Sequence, residues 1–230
     1  MPTDTLVVAE TFGATWQGEG PSAGRVAGFV RLGRCNLDCA WCDTAYTWDW
    51  ERYDPAVELR TVGVPDVLAE LDAMGIDMVV ITGGEPLLQQ RHLHPLLAGA
   101  HERGWRVELE TSGTVAPALP DGLVDQFNVS PKLSNSGVPL QRRYKPDVLR
   151  SFLATGSAVF KFVVTGPGDL AEVDAMVGEC GLDPVWIMPE GTDAATVLAR
   201  MRTVADAVLA RRWNLTTRLH VLVWGDRRGV

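Results

Sequence analysis

Lysine, cysteine and long apolar runs are all scarce in this sequence. The 230 residues include only three lysines (Lys132, Lys145 and Lys161), and the formal net charge is −8. Binding along nucleic-acid phosphates needs a positive field, so we expect no nucleic-acid partner. No stretch of about 18 apolar residues occurs, and the first ten residues lack the charged start and apolar core of a signal peptide. We therefore expect no membrane span and a cytoplasmic location.

Only four cysteines are present, and three of them lie within eight residues, at Cys35, Cys39 and Cys42. A chain of this length with so few cysteines is not a disulfide scaffold, which favours a reducing compartment. The fourth, Cys180, ends a predicted helix, where we expect it to pack as a small apolar residue.

Short apolar strands alternate with longer periodic segments after Gly24, in a chain with 46% hydrophobic residues. The predicted strands are Val26–Arg31, Met78–Thr82, Arg106–Glu110, Gln126–Ser130, Val159–Val164, Val185–Met188 and Leu219–Val223. The predicted helices are 64–75, 87–103, 147–154, 169–180 and 194–212. This alternation favours a parallel α/β sheet or barrel. We expect a single domain over residues 1–230, with a non-periodic loop at 35–58.

Five unusual short sequences begin where a predicted strand stops. In chain order they are CNLDCAWCDT, TGGEP, ETSG, SPK and MPEG. In parallel β/α barrels the carboxyl ends of the strands share one face, and active sites are built there. The sequence therefore predicts that these five segments meet around one site.

The spacing Cys35-x3-Cys39-x2-Cys42 indicates a metal site. Thiolates are soft ligands that suit iron–sulfur clusters and zinc. Structural zinc takes four protein ligands, and no histidine lies in this loop to complete such a site. Three thiolates suit a [4Fe–4S] cluster, whose remaining iron is open to the amino and carboxylate groups of S-adenosylmethionine (SAM).

With the aromatic Trp41 directly before its last cysteine, this motif resembles the CxxxCxΦC signature of the radical SAM superfamily. Gly83-Gly84-Glu85-Pro86 resembles the second signature of that superfamily, whose backbone binds the SAM amino group. The resemblance implies a [4Fe–4S] cluster that cleaves SAM to a 5′-deoxyadenosyl radical. It also implies the fold, an incomplete parallel β/α (TIM-like) barrel of the radical SAM type.

Three further segments narrow the resemblance: ETFGATWQGEG at 10–20, CDTAYTWDW at 42–50 and Ser130-Pro131-Lys132. Together they are similar to the 7-carboxy-7-deazaguanine synthase family of queuosine-type 7-deazapurine biosynthesis. That family implies conversion of 6-carboxy-5,6,7,8-tetrahydropterin to 7-carboxy-7-deazaguanine with loss of ammonia, a lyase reaction. Hydrogen abstraction by the adenosyl radical would start the ring contraction.

The same resemblance assigns roles to individual residues. Thr44, whose hydroxyl is a hard oxygen ligand, would bind Mg²⁺. The residues implied to bind SAM are Trp41, Cys42, Asp43, Gly84, Ser130, Pro131, Lys132, Met188, Pro189, Glu190 and Gly191. The residues implied to bind the substrate are Trp16, Gln17, Gly18, Glu19, Arg31, Thr82 and His220. The planar fork of Arg31 suits the substrate carboxylate.

The resemblance also implies a homodimer and an electron donor of the flavodoxin or ferredoxin type. Two alternatives stay open. A radical-activating enzyme, which abstracts hydrogen from a glycine of a partner protein, shares the cysteine spacing but would not be expected to carry QGEGP or CDTAYTWDW. A zinc-stabilised binding module would have no catalytic activity.

Overall fold

Nine strands form one mixed sheet in the computed structural model, which describes residues 4–230. The strands are β1 (Thr5–Trp16), β2 (Val26–Leu32), β3 (Arg60–Gly63), β4 (Met78–Gly83), β5 (Arg106–Thr111), β6 (Gln126–Val129), β7 (Ala158–Val164), β8 (Val185–Pro189) and β9 (Asn214–Leu215). Their order across the sheet is β3-β1-β2-β4-β5-β6-β7-β8-β9. Neighbouring strands from β2 to β9 are parallel, whereas β1 pairs antiparallel with both β2 and β3.

Helices connect most of the parallel strands. They are α1 (Pro55–Glu58), α2 (Val64–Asp72), α3 (Gln90–Glu102), α4 (Leu140–Arg143), α5 (Pro146–Ala154), α6 (Leu170–Cys180), α7 (Ala194–Ala210) and α8 (Leu219–Trp224). Local sequence sets several of their ends. Asp193 caps α7 by accepting a hydrogen bond from the Thr196 backbone N–H at 2.9 Å. Gly181, with φ of 69°, ends α6 in the left-handed conformation.

The described strands do not close into a full barrel, because β3 and β9 remain the two edges of the sheet. The predicted incomplete parallel β/α barrel is therefore confirmed. The carboxyl ends of the parallel strands lie at one edge, where the five unusual sequences follow β2, β4, β5, β6 and β8.

The main apolar core lies between the sheet and its helices. Leu71 of α2, Leu97 of α3 and Phe152 of α5 are fully buried there. Each such side chain contributes about 1.5–3 kcal/mol relative to an exposed one. A second, smaller cluster lies on the other face of the sheet, where Phe12 packs against four buried residues, Ala27, Phe29, Met78 and Val80.

This second face of the sheet also carries buried polar residues. The Glu108 carboxylate, fully buried on β5, accepts hydrogen bonds from Ser22 Oγ at 2.5 Å, Asn128 Nδ2 at 2.9 Å and Arg106 Nε at 3.0 Å. A buried carboxylate without such partners would be strongly destabilising. Since side chains alternate along a strand, Arg106, Glu108 and Glu110 of β5 all face this side.

Six of the seven predicted strands and all five predicted helices are confirmed within a few residues. The prediction of a strand at Leu219–Val223 is wrong, because this segment forms α8. Its run of valine and leucine suggests a strand, but the helix places residues four apart on one face. On that face Trp224 stacks on Trp16 of β1, with ring centroids 5.4 Å apart.

Three strands were not predicted: β1, β3 and β9. The sequence of β1 is polar toward its end and contains Gly13, and its pairing with β2 shifts register twice. The loop at 35–58 is mostly irregular, with one 3₁₀ turn at Ala45–Thr47 and the short helix α1. Over residues 4–230, none of the helices has the length and apolarity needed to cross a membrane.

Candidate active site at the carboxyl end of the sheet

The five unusual sequences line one cavity, as predicted. The cavity wall contains a residue from each of these sequences: Cys35, Gly84, Ser112, Lys132 and Met188, in chain order. The cavity also receives the end of β1 and the segment that follows it, including Gln17 and Glu19.

The three cysteines of the loop are free thiols and all line this cavity. The backbone N–H of Leu37 donates to Cys35 Sγ at 3.4 Å, and Trp48 Nε1 donates to Cys42 Sγ at 3.3 Å. Burial is the main cause that raises the pKa of the Cys35 thiol to about 12. This thiol therefore ionises at neutral pH only when a metal replaces its proton.

Gly83 and Gly84 allow β4 to end directly against the cysteine loop. A Cβ atom on Gly84 would lie 2.1 Å from the Arg34 carbonyl oxygen and 2.9 Å from Cys35 Cβ. The Gly84 N–H donates to the Leu32 carbonyl at 3.0 Å. Close packing within the protein thus requires glycine here, whatever contact Gly84 makes with a ligand.

Glu85 connects the second motif to the third. Its fully buried carboxylate accepts hydrogen bonds from Thr111 Oγ1 at 2.8 Å and from Ser112 at its N–H (2.8 Å) and Oγ (2.6 Å). Ser112 Oγ lies 2.7 Å from Thr114 Oγ1, which accepts from Asn36 Nδ2 in the cysteine loop at 2.9 Å. The ETSG sequence therefore holds the loop in place, a role that the sequence left undefined.

The residues predicted to bind SAM gather beside the cysteines. Lys132 Nζ lies 5.7 Å from the Trp41 ring centroid and donates to Ser130 Oγ at 2.9 Å. The Trp41 indole N–H donates to the carbonyl of Asn135 at 3.1 Å. Trp41 and Lys132 form one wall of the cavity, next to Cys39.

Arg218, which precedes α8, joins three parts of the site. It forms ion pairs with Asp43, directly after the cysteines, and with Glu19 at 3.1 Å. Its Nη1 donates to the Gly191 carbonyl at 2.7 Å. Burial opposes the charge of Arg218, but Glu19 and Asp43 outweigh it and raise the pKa.

A buried ion pair crosses the floor of the cavity between Lys161 of β7 and Glu19. The Lys161 Nζ lies 2.5 Å from Glu19 Oε2 and 3.8 Å from Glu110 Oε1. Burial acts to raise the pKa of Glu19, but Lys161 and Arg218 outweigh it and hold that pKa well below its usual value. Both partners are therefore charged at neutral pH.

Glu110 also binds two of the residues predicted to contact substrate. Its Oε1 accepts from Gln17 Nε2 at 3.2 Å, and its Oε2 accepts from Thr82 Oγ1 at 2.9 Å. A carboxylate has about four acceptor positions, so Glu110 keeps capacity for donors of a ligand.

His220 lies on α8 rather than on the predicted strand, but the helix still places it in the cavity. It packs directly on Gly18, where a Cβ atom would lie 1.9 Å from His220 Nδ1. Burial lowers the pKa of His220 below its usual value, although the Glu19 carboxylate acts in the opposite direction. His220 is therefore a neutral ring at pH 7.

Arg31, at the carboxyl end of β2, lines the cavity beside Phe12. Its Nε donates to Glu10 Oε1 of β1 at 2.7 Å. Thr44 also lies on the cavity wall, with its hydroxyl 3.6 Å from Cys42 Sγ.

Nearly all of the predicted site residues therefore meet in one cavity, although their individual roles stay predictions. The predicted residues on its wall are Trp16, Gln17, Gly18, Glu19, Arg31, Cys35, Cys39, Trp41, Cys42, Asp43, Thr44, Thr82, Gly84, Ser130, Lys132, Met188, Glu190 and His220. Pro131, Pro189 and Gly191 are not among the residues that line the cavity.

Lys161 and Arg218 were missed, and Glu110 was placed at the site only as part of the ETSG segment, without a role of its own. Two of these three residues had a signal in the sequence. Lys161 is a single charge inside the apolar strand AVFKFVV, and Glu110 alternates with Glu108 in RVELET. A charge within an apolar strand indicates a buried partner. Nothing in the sequence distinguishes Arg218 from the other arginines.

The donor set fits a [4Fe–4S] cluster. Within residues 4–230, no group of three or more His, Cys, Asp or Glu side chains is arranged to hold a single metal ion. In a cluster each thiolate binds a different iron, and three cysteines leave one iron for another ligand. The neighbouring cavity has room and polar groups for such a ligand.

Comparisons with known proteins agree with this geometry. The family model of the radical SAM superfamily matches residues 30–153. The 7-carboxy-7-deazaguanine synthase of Pyrobaculum aerophilum is 38% identical over 99% of this chain and 98% of that protein. The protein of the same name from Hyperthermus butylicus is 39% identical over 95% of this chain and 92% of its own. The crystal structure of QueE from Escherichia coli superimposes with a TM-score of 0.71 and 27% identity, covering 94% of this chain and 95% of that one.

The fold, the cysteine loop and the family match together define a radical SAM enzyme, which uses a [4Fe–4S] cluster and SAM. Within that superfamily, the chain belongs to the 7-carboxy-7-deazaguanine synthase family. The resemblance predicted from the sequence is confirmed.

Proposed function

We propose that this chain converts 6-carboxy-5,6,7,8-tetrahydropterin to 7-carboxy-7-deazaguanine with loss of ammonia, acting as a lyase. The observation that carries the proposal is one cavity that combines the three cysteines with Glu19, Glu110 and Arg31. The names of the relatives support the same reaction.

Cys35, Cys39 and Cys42 would hold the cluster, which with bound SAM supplies a carbon-centred adenosyl radical. The residues around the cysteines would hold SAM: Trp41, Asp43, Gly84, Ser130, Pro131, Lys132, Met188, Pro189, Glu190 and Gly191. Lys132 and Trp41 offer a cation and an aromatic face on the cavity wall. Together these contacts would keep the sulfonium compound next to the open iron.

The polar floor of the cavity suits the amino-pyrimidine half of a pterin. The carboxylates of Glu19 and Glu110 accept from N–H groups, and Gln17 and Thr82 are fixed beside them. Lys161 lies within ion-pair distance of both carboxylates, at 2.5 Å from Glu19 and 3.8 Å from Glu110. The neutral His220 and the aromatic Trp16 would cover the ring, with Gly18 leaving space for them.

Arg31 would bind the 6-carboxylate of the substrate, since a guanidinium pairs with a carboxylate through two parallel hydrogen bonds. Thr44 would bind a Mg²⁺ ion that the same substrate carboxylate also contacts. Mg²⁺ prefers oxygen ligands and is usually bound by only one or two protein side chains, with water and substrate oxygens as its other ligands. Both groups lie on the same cavity wall as the cysteines.

The other expectations stay part of the proposal. They are one domain for the whole chain, a homodimer, a flavodoxin- or ferredoxin-type electron donor and a cytoplasmic location. The net charge of −8 continues to argue against a nucleic-acid partner.

An anaerobic assay of the reconstituted protein with SAM, dithionite, Mg²⁺ and 6-carboxytetrahydropterin tests the reaction. We expect mass spectrometry to detect 7-carboxy-7-deazaguanine, and a Cys39→Ala variant to form none. Cleavage of SAM to 5′-deoxyadenosine without any deazaguanine would contradict the substrate and favour a radical-activating enzyme. Stoichiometric zinc without iron after anaerobic purification would contradict the radical reaction itself.

A further inference from the structure

The guanidinium of Arg31 uses only one of its edges to contact protein. Its Nε donates to Glu10 Oε1 at 2.7 Å, and the side chain is 18% exposed at the cavity wall. Across the described chain, Nη1 and Nη2 of Arg31 have no hydrogen-bond acceptor. Because Arg31 lines the cavity, these two nitrogens leave the end of the guanidinium available to an anionic ligand there.

Glu10 owes its position to an irregularity in β1. Glu10 and Arg31 are partners across the β1–β2 pair, and the register shifts between Val8 and Glu10. Such a shift changes the direction in which the side chain points. The Glu10 carboxylate consequently lies beside Arg31, with 15% of the side chain exposed.

Two further side chains fix this carboxylate. Tyr46 Oη donates to Glu10 Oε1 at 2.5 Å, so Oε1 accepts from Tyr46 and Arg31 together. Arg228 Nε donates to Oε2 at 3.1 Å, and its Nη1 donates to Glu58 at 2.8 Å. Burial opposes the charge of Glu10, but Arg31 and the other donors outweigh it, so the pKa is lowered.

We infer that Glu10 is a positioning residue that makes Arg31 specific for the carboxylate of the substrate. By occupying Nε, Glu10 prevents a ligand from binding the Nε–Nη2 edge and leaves only the Nη1–Nη2 end. A carboxylate must then bind end-on, which sets the angle at which a 6-carboxylated ring enters the cavity. This inference rests on the proposed function, in which Arg31 binds that carboxylate.

Because the two carboxylate oxygens of Glu10 have different partners, substitutions can test its role as a hydrogen-bond acceptor separately from its charge. A glutamine at this position retains Oε1 as acceptor for Arg31 and Tyr46, but it loses the negative charge and the acceptor Oε2 that faces Arg228. A leucine has no charge and no oxygen, so it accepts no hydrogen bond from Arg31 or Tyr46. Positioning therefore predicts that Glu10→Gln preserves carboxylate recognition and that Glu10→Leu removes it.

Equilibrium dialysis of the cluster-loaded protein, with SAM and Mg²⁺, measures this recognition without turnover. The probes are the stable compounds 6-carboxypterin and pterin, which differ only by the carboxylate. The readout is the ratio of their dissociation constants. Glu70→Leu is a matched control, because Glu70 binds Arg60 on the surface, at 2.6 Å.

For the native protein, Glu10→Gln and Glu70→Leu, we expect a preference for 6-carboxypterin of roughly tenfold or more, the value of one lost charged hydrogen bond. For Arg31→Leu and Glu10→Leu we expect the ratio to fall toward one, with pterin binding unchanged. A merely structural role would weaken the binding of both probes equally.

Two outcomes separate the possible failures. If Arg31→Leu loses the preference and Glu10→Leu retains it, positioning by Glu10 is refuted, and Arg31 still binds the carboxylate. If the native protein and Arg31→Leu show the same ratio, the proposed role of Arg31 is refuted, and the inference falls with it. Should Glu10→Leu not fold, Glu10→Asp replaces it, because the shorter carboxylate does not reach Nε, and a retained ratio would refute positioning.

Discussion

Replacing Lys161 by methionine removes the cation from the floor of the cavity with little change in side-chain length. Lys161 is 5% exposed and lies 2.5 Å from Glu19 Oε2. The variant would leave Glu19 buried, with Arg218 as its remaining ionic partner at 3.1 Å. We predict a large loss of stability, because a buried carboxylate loses its nearest counter-charge.

The expected magnitude follows from the burial of the pair. Removing one partner of a buried ion pair costs about 3–5 kcal/mol. The remaining Arg218 places Lys161→Met at the lower end, about 3 kcal/mol. For a chain of this length that corresponds to a fall in Tm of about 6–12 °C.

The pH dependence has a definite sign. Glu19 has a lowered pKa in the folded protein, so it stabilises the fold above the ordinary value of 4.5, and that contribution is lost as the pH falls. Without Lys161 the pKa of Glu19 rises. The difference in stability between the native and variant proteins should therefore shrink as the pH falls below 4.5.

Anaerobic thermal unfolding of cluster-loaded proteins, followed by circular dichroism, measures the effect. The double variant Lys161→Met/Glu19→Gln should recover part of the loss, since it also removes the carboxylate nearest to the lost cation. Arg211→Met is a surface control, because Arg211 pairs with Asp174 at 2.8 Å on the exterior, and such pairs contribute about 1 kcal/mol or less. A Tm for Lys161→Met equal to that of Arg211→Met, or no recovery in the double variant, would refute the reasoning.

Three further predictions concern the motifs around the cysteines and α8. Gly84→Ala should lower the free energy of unfolding by about 1–3 kcal/mol, because the added Cβ would lie 2.1 Å from a backbone oxygen. The control Gly168→Ala should not lower it, because no atom lies within 4 Å of the Cβ position at Gly168. Equal denaturant midpoints for the two would contradict this. Glu85→Gln should cost about 1–3 kcal/mol and lower the iron content, since its buried carboxylate binds the third motif. Native iron content and stability would contradict it. The lowered pKa of His220 predicts that native stability rises with pH below 6.5, where the unfolded chain binds the extra proton. Denaturant unfolding at several pH values should show a smaller slope for His220→Gln, and an unchanged slope would contradict the assignment.

The parallel half of the fold could be predicted because its signals are local. Apolar strands such as AVFKFVV and VWIMP, each followed by an amphipathic segment, specify the alternation of strand and helix. The convergence of the motifs followed from topology, since the carboxyl ends of parallel strands share one edge. The cysteine spacing then identified the chemistry of that edge.

The features that could not be predicted from the sequence depend on contacts between distant parts of the chain. The segment Leu219–Val223 has the apolar composition of a strand, but the sheet ends at β9 and the segment instead packs as a helix on the end of β1. The β1 strand is irregular, and its partners lie far along the chain, so local propensity does not reveal it. The ion pairs of Lys161 and Arg218 join residues 142 and 199 positions apart, which no local pattern encodes.

The proposed reaction requires one cavity that holds the pterin directly beside the radical source. Deuterium placed at C6 of the substrate tests this contact, with the label followed by mass spectrometry of SAM and 5′-deoxyadenosine after turnover. We predict that deuterium from C6 appears in the adenosyl group and that Cys39→Ala abolishes the transfer. Formation of 7-carboxy-7-deazaguanine without any deuterium in the adenosyl group would contradict the account.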